Sequence, residues 1–166
     1  MDKFLIDKGL LTRIDQVRQS VGLKASELVF TAMGFLGVPY RRGGNTAETG
    51  FDCSGFVRAM YQQTIGLILP RKAEQQAAAT EKIERTDLQP GDLVFFNTMR
   101  RAFSHVGIYI GGGKFIHSPK PGSQVRVEDM GLAYWTHRFD GARRVQATLP
   151  DTPTLEALPS LEPTLR

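Results

Sequence analysis

The chain has one cysteine among its 166 residues, and this scarcity excludes a disulfide within the chain. The thiol must therefore be a buried apolar group, a metal ligand or a reactive group. Long apolar runs are also missing, since no stretch approaches the roughly 18 residues of a transmembrane helix. The opening Met1-Asp2-Lys3 lacks the apolar segment of a signal peptide. We therefore expect neither a membrane span nor a visible export signal.

A continuous basic surface is lacking as well. The formal net charge is +4, and the basic pairs are spread along the chain without the interleaved aromatic residues of a nucleic-acid surface. These pairs are Arg41-Arg42, Arg71-Lys72, Arg100-Arg101 and Arg143-Arg144. We interpret them as solvated surface and predict no nucleic-acid partner. An apolar content of 41% in a chain of this length suits one compact domain.

Helical patterns come first along the chain and strand patterns follow, which predicts an α+β fold. Apolar spacing predicts helices over 24–36 and from Cys53 onward, and the polar, alanine-rich composition of 73–80 predicts a surface helix there. Short β-branched and aromatic runs between glycine-rich turns predict strands. These runs are 93–96, 106–110, 114–117, 124–127 and 142–145. We divide the chain into an N-terminal helical extension (1–23), a central domain (24–147) and a proline-rich flexible tail (148–166).

Cys53 lies where the glycine-rich loop 40–51 meets the start of an apolar-periodic helix. Backbone N–H groups and the helix dipole favour negative charge at such a position, so we expect a lowered pKa for this thiol. The same N–H groups could stabilise the oxyanion of a tetrahedral intermediate. The alternative interpretation is a small buried apolar side chain, although polar neighbours argue against it.

Two of the three histidines, His105 and His117, flank the glycines 111–113 in adjacent predicted strands. If those three glycines form the hairpin loop, Ile110 pairs with Lys114 and Gly107 faces His117. His105 then lies diagonal to His117 on the same face of the sheet. A two-residue loop would place the two rings on opposite faces. His137 has no such partner, and we expect it to be structural or exposed.

Several motifs, in their order along the chain, resemble the NlpC/P60 family of cell-wall cysteine peptidases. They are Gly37-Val38-Pro39-Tyr40, Gly43-Gly44, 50–57, Leu69-Pro70-Arg71, 89–96, 104–111 and 115–118. The resemblance covers about residues 25–145 and identifies 24–147 as the catalytic domain. It implies a papain-like α+β fold, with N-terminal helices packed on a small antiparallel sheet. The compact form is most similar to the Spr-type murein endopeptidases of Gram-negative envelopes.

By this resemblance Cys53 is the nucleophile, His105 the general base and His117 the residue that orients His105. Tyr40 would lie beside the thiol and help to hold it or the oxyanion. Asp52 and Ser54 match positions that bind the amino group of the substrate peptide, and Arg71 belongs to the Leu-Pro-Arg element, with a supporting or a binding role. After Arg71 the family often has a hydroxyl residue, whereas this chain has Lys72-Ala73-Glu74.

The resemblance implies a peptidoglycan hydrolase, a D,D- or D,L-endopeptidase that acts on stem peptides or their cross-links. We expect no cofactor and no metal, a monomer, and a location in the bacterial cell envelope or periplasm. Three alternatives stay open. They are a zinc site built from Cys53, His105 and His117, a non-catalytic wall-binding module, and an acyltransferase or antibacterial amidase toxin on the same fold. The sequence does not indicate which murein bond is cleaved.

Overall fold

The computed structural model describes residues 24–146, so the predictions for 1–23 and for 147–166 lie outside the described residues. The helices are α1 (24–33), α2 (Cys53–Ile65), α3 (Ala73–Ala78) and α4 (Ala133–Arg138), with a 3₁₀ turn at Arg85–Asp87. The strands are β1 (Asn45–Thr46), β2 (Gly50–Phe51), β3 (Glu81–Ile83), β4 (Leu93–Phe96), β5 (His105–Gly111), β6 (Lys114–His117), β7 (Arg126–Asp129) and β8 (Phe139–Arg144). Among the described residues, no helix is both long and apolar enough to cross a membrane.

Helix α2 begins at the predicted residue because its N-terminus is capped. The side chain of Asp52 accepts a hydrogen bond from the backbone N–H of Gly55, which would otherwise have no partner in the helix. Gly66 ends the helix in the left-handed conformation, at φ 82°. The buried face carries Phe56 and Met60, both fully inaccessible to solvent. The prediction of a helix that starts at Cys53 is confirmed.

A six-stranded antiparallel sheet, in the order β3-β8-β4-β5-β6-β7, forms the centre of the domain. Strand β4 is buried on both faces, which explains its uninterrupted apolar sequence. Leu93 and Phe95 join the core cluster that contains α2, whereas Val94 and Phe96 pack in a second cluster with Trp135 of α4. The sheet is thus covered on both faces, and the α+β class is confirmed.

The hairpin of β5 and β6 differs from its prediction at the turn. Lys114 pairs with Gly111 rather than with Ile110, so the turn has two residues, and a β-bulge follows between Tyr109 and Gly111. The bulge adds one residue to β5 and thereby restores the predicted alternation. Beyond it, Ile108 pairs with Ile116. One residue further on, Gly107 faces His117 as predicted, and a Cβ at Gly107 would lie 3.1 Å from that of His117.

Other element bounds differ because pairing in space, rather than local pattern, sets them. Strand β7 occupies Arg126–Asp129 instead of 124–127, since Lys114 at the start of β6 pairs with Asp129. Strand β8 begins at Phe139 instead of 142, and helix α1 ends at residue 33 instead of 36. Strands β1, β2 and β3 and helix α4 were not predicted.

The interpretation of the basic pairs as solvated surface is wrong for two of them. Arg71 forms an ion pair with Asp52 at 2.9 Å, and Arg144 forms one with the buried Asp92 at 2.8 Å. Both arginines are partly buried and hold loops to the ends of secondary structure elements. A guanidinium group suits this role because its planar donors bind a carboxylate at two points.

Candidate active site

The sulfur of Cys53 lies against the first residues of β5. Sγ is 3.9 Å from the carbonyl oxygen of Ser104, and the backbone N–H of Val106 stabilises the thiolate form. Ser104 and Val106 are the neighbours of His105 in the chain, so the start of α2 abuts the start of β5. Within residues 24–146 no hydrogen bond joins Cys53 to His105. Such bonds are often long in ligand-free enzymes and tighten when substrate binds.

The expected lowering of the Cys53 pKa is wrong. Burial raises the pKa of this thiol to about 11, and the charge of Asp52 raises it further. The backbone N–H groups of Val106 and Ser54 and the charge of Arg71 act in the opposite direction, but their effect is smaller. Loss of hydration outweighs the favourable helix start because an anion loses more solvation than these donors replace.

His105 and His117 share one face of the sheet, as the alternation predicts. Nε2 of His105 lies 2.7 Å from Nδ1 of His117, and both side chains are buried. Burial lowers the pKa of both rings, and for His105 the neighbouring His117 lowers it further. Two neutral imidazoles can share one proton in this arrangement, because each can donate from one nitrogen and accept at the other.

The hydrogen bond between His105 and His117 continues to Glu128, which was not predicted as a site residue. Nε2 of His117 lies 2.7 Å from Oε2 of Glu128 in the neighbouring strand β7. Hydrogen bonds from His117, Trp135 and Arg126 lower the pKa of Glu128 to about 2. The signal for Glu128 was present, because Arg126 and Glu128 alternate with apolar residues. The predicted strand ended at residue 127, however, and left Glu128 outside.

Trp135 of α4 encloses both imidazoles. Its ring is stacked on His105, with centroids 5.7 Å apart, and its edge meets His117 at 5.2 Å. Its indole Nε1 donates to Oε1 of Glu128 over 3.1 Å. Trp135 therefore excludes water from the line of rings and fixes its far end. His137 of the same helix is exposed, as predicted.

Asp52, Ser54 and Arg71 form one cluster at the start of α2. The carboxylate of Asp52 accepts hydrogen bonds from Gly43 and Gly55 and from both terminal nitrogens of Arg71. Arg71 also donates to Oγ of Ser54 over 2.9 Å. The structure thus brings these three predicted residues together, and the charged groups in the cluster neutralise each other. The cluster holds the helix start in place next to Cys53.

Tyr40 is half-buried and close to the thiol. Burial raises its pKa most, and the negative charges of Cys53 and Asp52 raise it further. The positive charges of Arg42 and Arg71 lower the pKa of Tyr40, so both guanidinium groups lie near its hydroxyl. An un-ionised hydroxyl can donate a hydrogen bond to an oxyanion or to a thiolate.

The zinc alternative has no geometric support in the described part of the chain. Among residues 24–146, no three or more histidine, cysteine, aspartate or glutamate side chains are arranged so that they could hold a metal ion. The nitrogens by which His105 and His117 face each other are hydrogen-bonded together. A zinc centre with three protein ligands would need those side chains to converge on one point instead.

Comparison with known proteins gives one family. Murein DD-endopeptidase MepH of Escherichia coli strain K12 is 43% identical over 113 residues, which cover 66% of this chain and 42% of that protein. Murein DD-endopeptidase MepS/Murein LD-carboxypeptidase of the same strain is 42% identical over 109 residues, which cover 66% of this chain and 56% of that protein. The chain thus spans about half the length of these curated relatives.

The crystal structure of an NlpC/P60 family protein from Bacillus cereus ATCC 10987 has the same fold as this chain, with a TM-score of 0.68 and 35% sequence identity. The superposition covers 72% of this chain and 39% of that one. Residues 37–144 of this chain match the NlpC/P60 family. This match covers more than half of the chain and includes every residue of the candidate site. The chain is a member of the NlpC/P60 family.

Proposed function

We propose that this protein is a cysteine endopeptidase that hydrolyses amide bonds in the peptide part of bacterial peptidoglycan. Cys53 is the nucleophile, His105 the general base and His117 the residue that orients His105. The observation that carries the proposal is the line of buried imidazoles that begins at the residue beside the Cys53 sulfur. The names of the relatives support the substrate class.

The reaction follows from the charge states of the free site. Burial raises the pKa of the Cys53 thiol and lowers that of His105, which favours an uncharged pair, so the Cys53 proton passes to His105 in the course of the reaction. The thiolate attacks the amide carbonyl, and His105 then donates this proton to the leaving amine. Water hydrolyses the thioester, with His105 again as base. The backbone N–H groups at the start of α2 and the hydroxyl of Tyr40 stabilise the oxyanion.

Substrate binding involves the cluster at the start of α2. Stem peptides carry several carboxylates, and Arg42 supplies positive charge near Tyr40. The amino group of the substrate peptide is expected near Asp52 and Ser54. Four donors within the protein already occupy the Asp52 carboxylate and Arg71 balances its charge, so that amino group would have to share the carboxylate with these donors. The protein acts as a monomer in the cell envelope, where peptidoglycan is found.

Digestion of purified peptidoglycan tests the proposal. Wild-type protein, Cys53→Ser and Cys53→Ala are incubated with intact sacculi, and the released muropeptides are identified by mass spectrometry. We expect new products from the wild type and none from either variant, because an alcohol is a much weaker nucleophile in this site. His137→Gln, which changes an exposed ring of α4, is the matched control and should release the same products as the wild type.

The masses of the products also identify the bond that is cleaved. A product that ends at D-alanine of a cross-link would indicate a DD-endopeptidase, and one that ends at D-glutamate a DL-endopeptidase. Binding to sacculi without any product would favour the wall-binding module. Products that carry a transferred amine would favour the acyltransferase. Full activity of Cys53→Ala would contradict the proposed nucleophile.

A further inference from the structure

The carboxylate of Glu128 is surrounded by hydrogen-bond donors. Its Oε2 lies 2.7 Å from Nε2 of His117 and accepts a hydrogen bond from Nε of Arg126 over 2.9 Å. Its Oε1 accepts from the indole of Trp135 over 3.1 Å. Arginine and indole N–H groups donate and never accept. Two fixed donors on one carboxyl group, one of them cationic, favour the ionised form of Glu128, which accepts hydrogen bonds only.

An ionised Glu128 determines which ring nitrogen of His117, and then of His105, carries the hydrogen. Nε2 of His117 must carry a hydrogen, because its partner is an acceptor. A neutral His117 then has a lone pair on Nδ1, which accepts from Nε2 of His105. His105 thus carries its hydrogen on Nε2 as well. Its Nδ1 is left unprotonated and is the basic atom of the ring.

The strand register makes this arrangement possible. His105 lies diagonal to His117 across β5 and β6, and Glu128 lies diagonal to His117 across β6 and β7. Direct pairs of the last two strands are Phe115 with Glu128 and His117 with Arg126. Three side chains on one face of three adjacent strands form a continuous line.

We propose that Glu128 is a positioning residue, which sets the tautomers of His117 and His105 so that Nδ1 of His105 is the base in the proposed reaction. Its negative charge also stabilises the imidazolium that forms when His105 accepts the proton of Cys53. The inference rests on the proposed function for its role in catalysis, whereas the assignment of the tautomers does not.

Glu128→Gln tests the role with little change in shape. The glutamine amide can adopt two orientations. In the first, its oxygen replaces Oε2, and its NH₂ group faces the indole N–H of Trp135, so that two donors oppose each other. In the second, its NH₂ group faces His117, which must then accept at Nε2 and donate from Nδ1. The side chain of Arg126 is 43% exposed and can turn away, so we expect the second orientation to be populated. In that state the hydrogen of His105 moves to Nδ1 and blocks the base.

Two measurements distinguish this role from a merely structural one. In ¹⁵N NMR spectra we expect single Nε2–H tautomers for His105 and His117 of the wild type, and Nδ1–H forms in Glu128→Gln. In digestion assays we expect kcat to fall about 10- to 100-fold with little change in KM, less than the roughly 10⁴-fold that loss of a directly hydrogen-bonded carboxylate costs other triads. The acid limb of the pH profile should move to lower pH, since loss of the carboxylate destabilises protonated His105.

Asp129→Asn is the matched control, because it removes the neighbouring exposed carboxylate of β7 and keeps the oxygen that binds Gly131. It should leave tautomers, kcat and pH profile unchanged. Unaltered tautomers in folded Glu128→Gln would overturn the inference, and so would an unaltered kcat in an active enzyme. If the wild type cleaves no peptidoglycan, the NMR measurement still tests the tautomers. In that case the proposed function fails independently.

Discussion

Burial raises the pKa of the Cys53 thiol to about 11, which favours its less reactive, protonated form at neutral pH. Cys53, His105 and His117 could be proposed from the sequence itself, since a cysteine at a helix start and two histidines around a glycine turn are local patterns, whereas the other predicted site residues came from the family resemblance. The pKa of the thiol could not be predicted in this way. It depends on how much solvent the folded chain removes from the sulfur, and this follows from long-range packing against Ser104 and Val106.

Alkylation of Cys53 should therefore be slow at pH 7 and accelerate as the pH rises toward 11, because the thiolate is the reactive form. Iodoacetamide labelling of the substrate-free protein, followed by mass spectrometry between pH 5 and pH 11, measures this dependence. Since Cys53 is the one cysteine of the chain, the mass of the proteolytic peptide that contains it reports on this thiol, whereas the intact mass would also include lysines alkylated at high pH. A labelling rate that is already constant below pH 7 would instead indicate a preformed thiolate and imidazolium.

His105→Ala should lower kcat more than His117→Ala. Loss of a general base typically costs about 10²- to 10⁴-fold, and loss of a residue that orients the base costs less. Both variants are compared in the muropeptide assay, with their unfolding midpoints as a check on folding. Equal losses would mean that the two rings act as one unit.

At the scale of elements, sequence and structure agree where a local signal begins or ends a segment. Helix α2 has its capping residue beside it in the sequence, and the glycines after Ile110 locate the turn of the hairpin, although not its length. Strand β7 was misplaced because its bounds depend on pairing with β6, which no local pattern reveals. Because the predicted strand ended at residue 127, Glu128 was not recognised as a neighbour of His117.

Close contact between α2 and the glycine loop predicts that Gly55→Ala is destabilising. An added Cβ would lie 2.1 Å from the carbonyl oxygen of Gly44 and 2.8 Å from Oδ1 of Asp52. Backbone must move to relieve the first contact, so we expect a loss of about 1–3 kcal/mol in the free energy of unfolding. Urea denaturation measures it. Gln63→Ala, on the exposed side of the same helix, should show no such loss.

At the scale of the molecule, the candidate site draws on both layers that cover the sheet. Cys53 comes from the layer of α2, whereas the imidazoles lie on the opposite face against Trp135 of α4. The site therefore draws on three adjacent strands of the sheet, β5, β6 and the edge strand β7. The family resemblance covered the same part of the chain, and the match to residues 37–144 confirms it.

Stability should decrease as the pH falls from 7 to 4. Burial lowers the pKa of His105 and His117 in the folded state, so below pH 6.5 the unfolded chain binds protons that the folded protein does not. The pKa of Glu128 falls from 4.5 to about 2, which adds the same effect below pH 4.5. Urea midpoints across this range measure the loss. His117→Gln should flatten the upper part of the curve, whereas His137→Gln should not alter it.

The bulge in β5 gives the hairpin a spare residue. If Gly111 were deleted, Ile110 could pair with Lys114 around the same two glycines, and Ile108 would still meet Ile116. A hairpin one residue shorter at this turn could therefore keep His105 and His117 on one face of the sheet. The placement of the two imidazoles depends on the turn and the bulge together, so a one-residue change in the turn is neutral for the site only if the bulge changes with it.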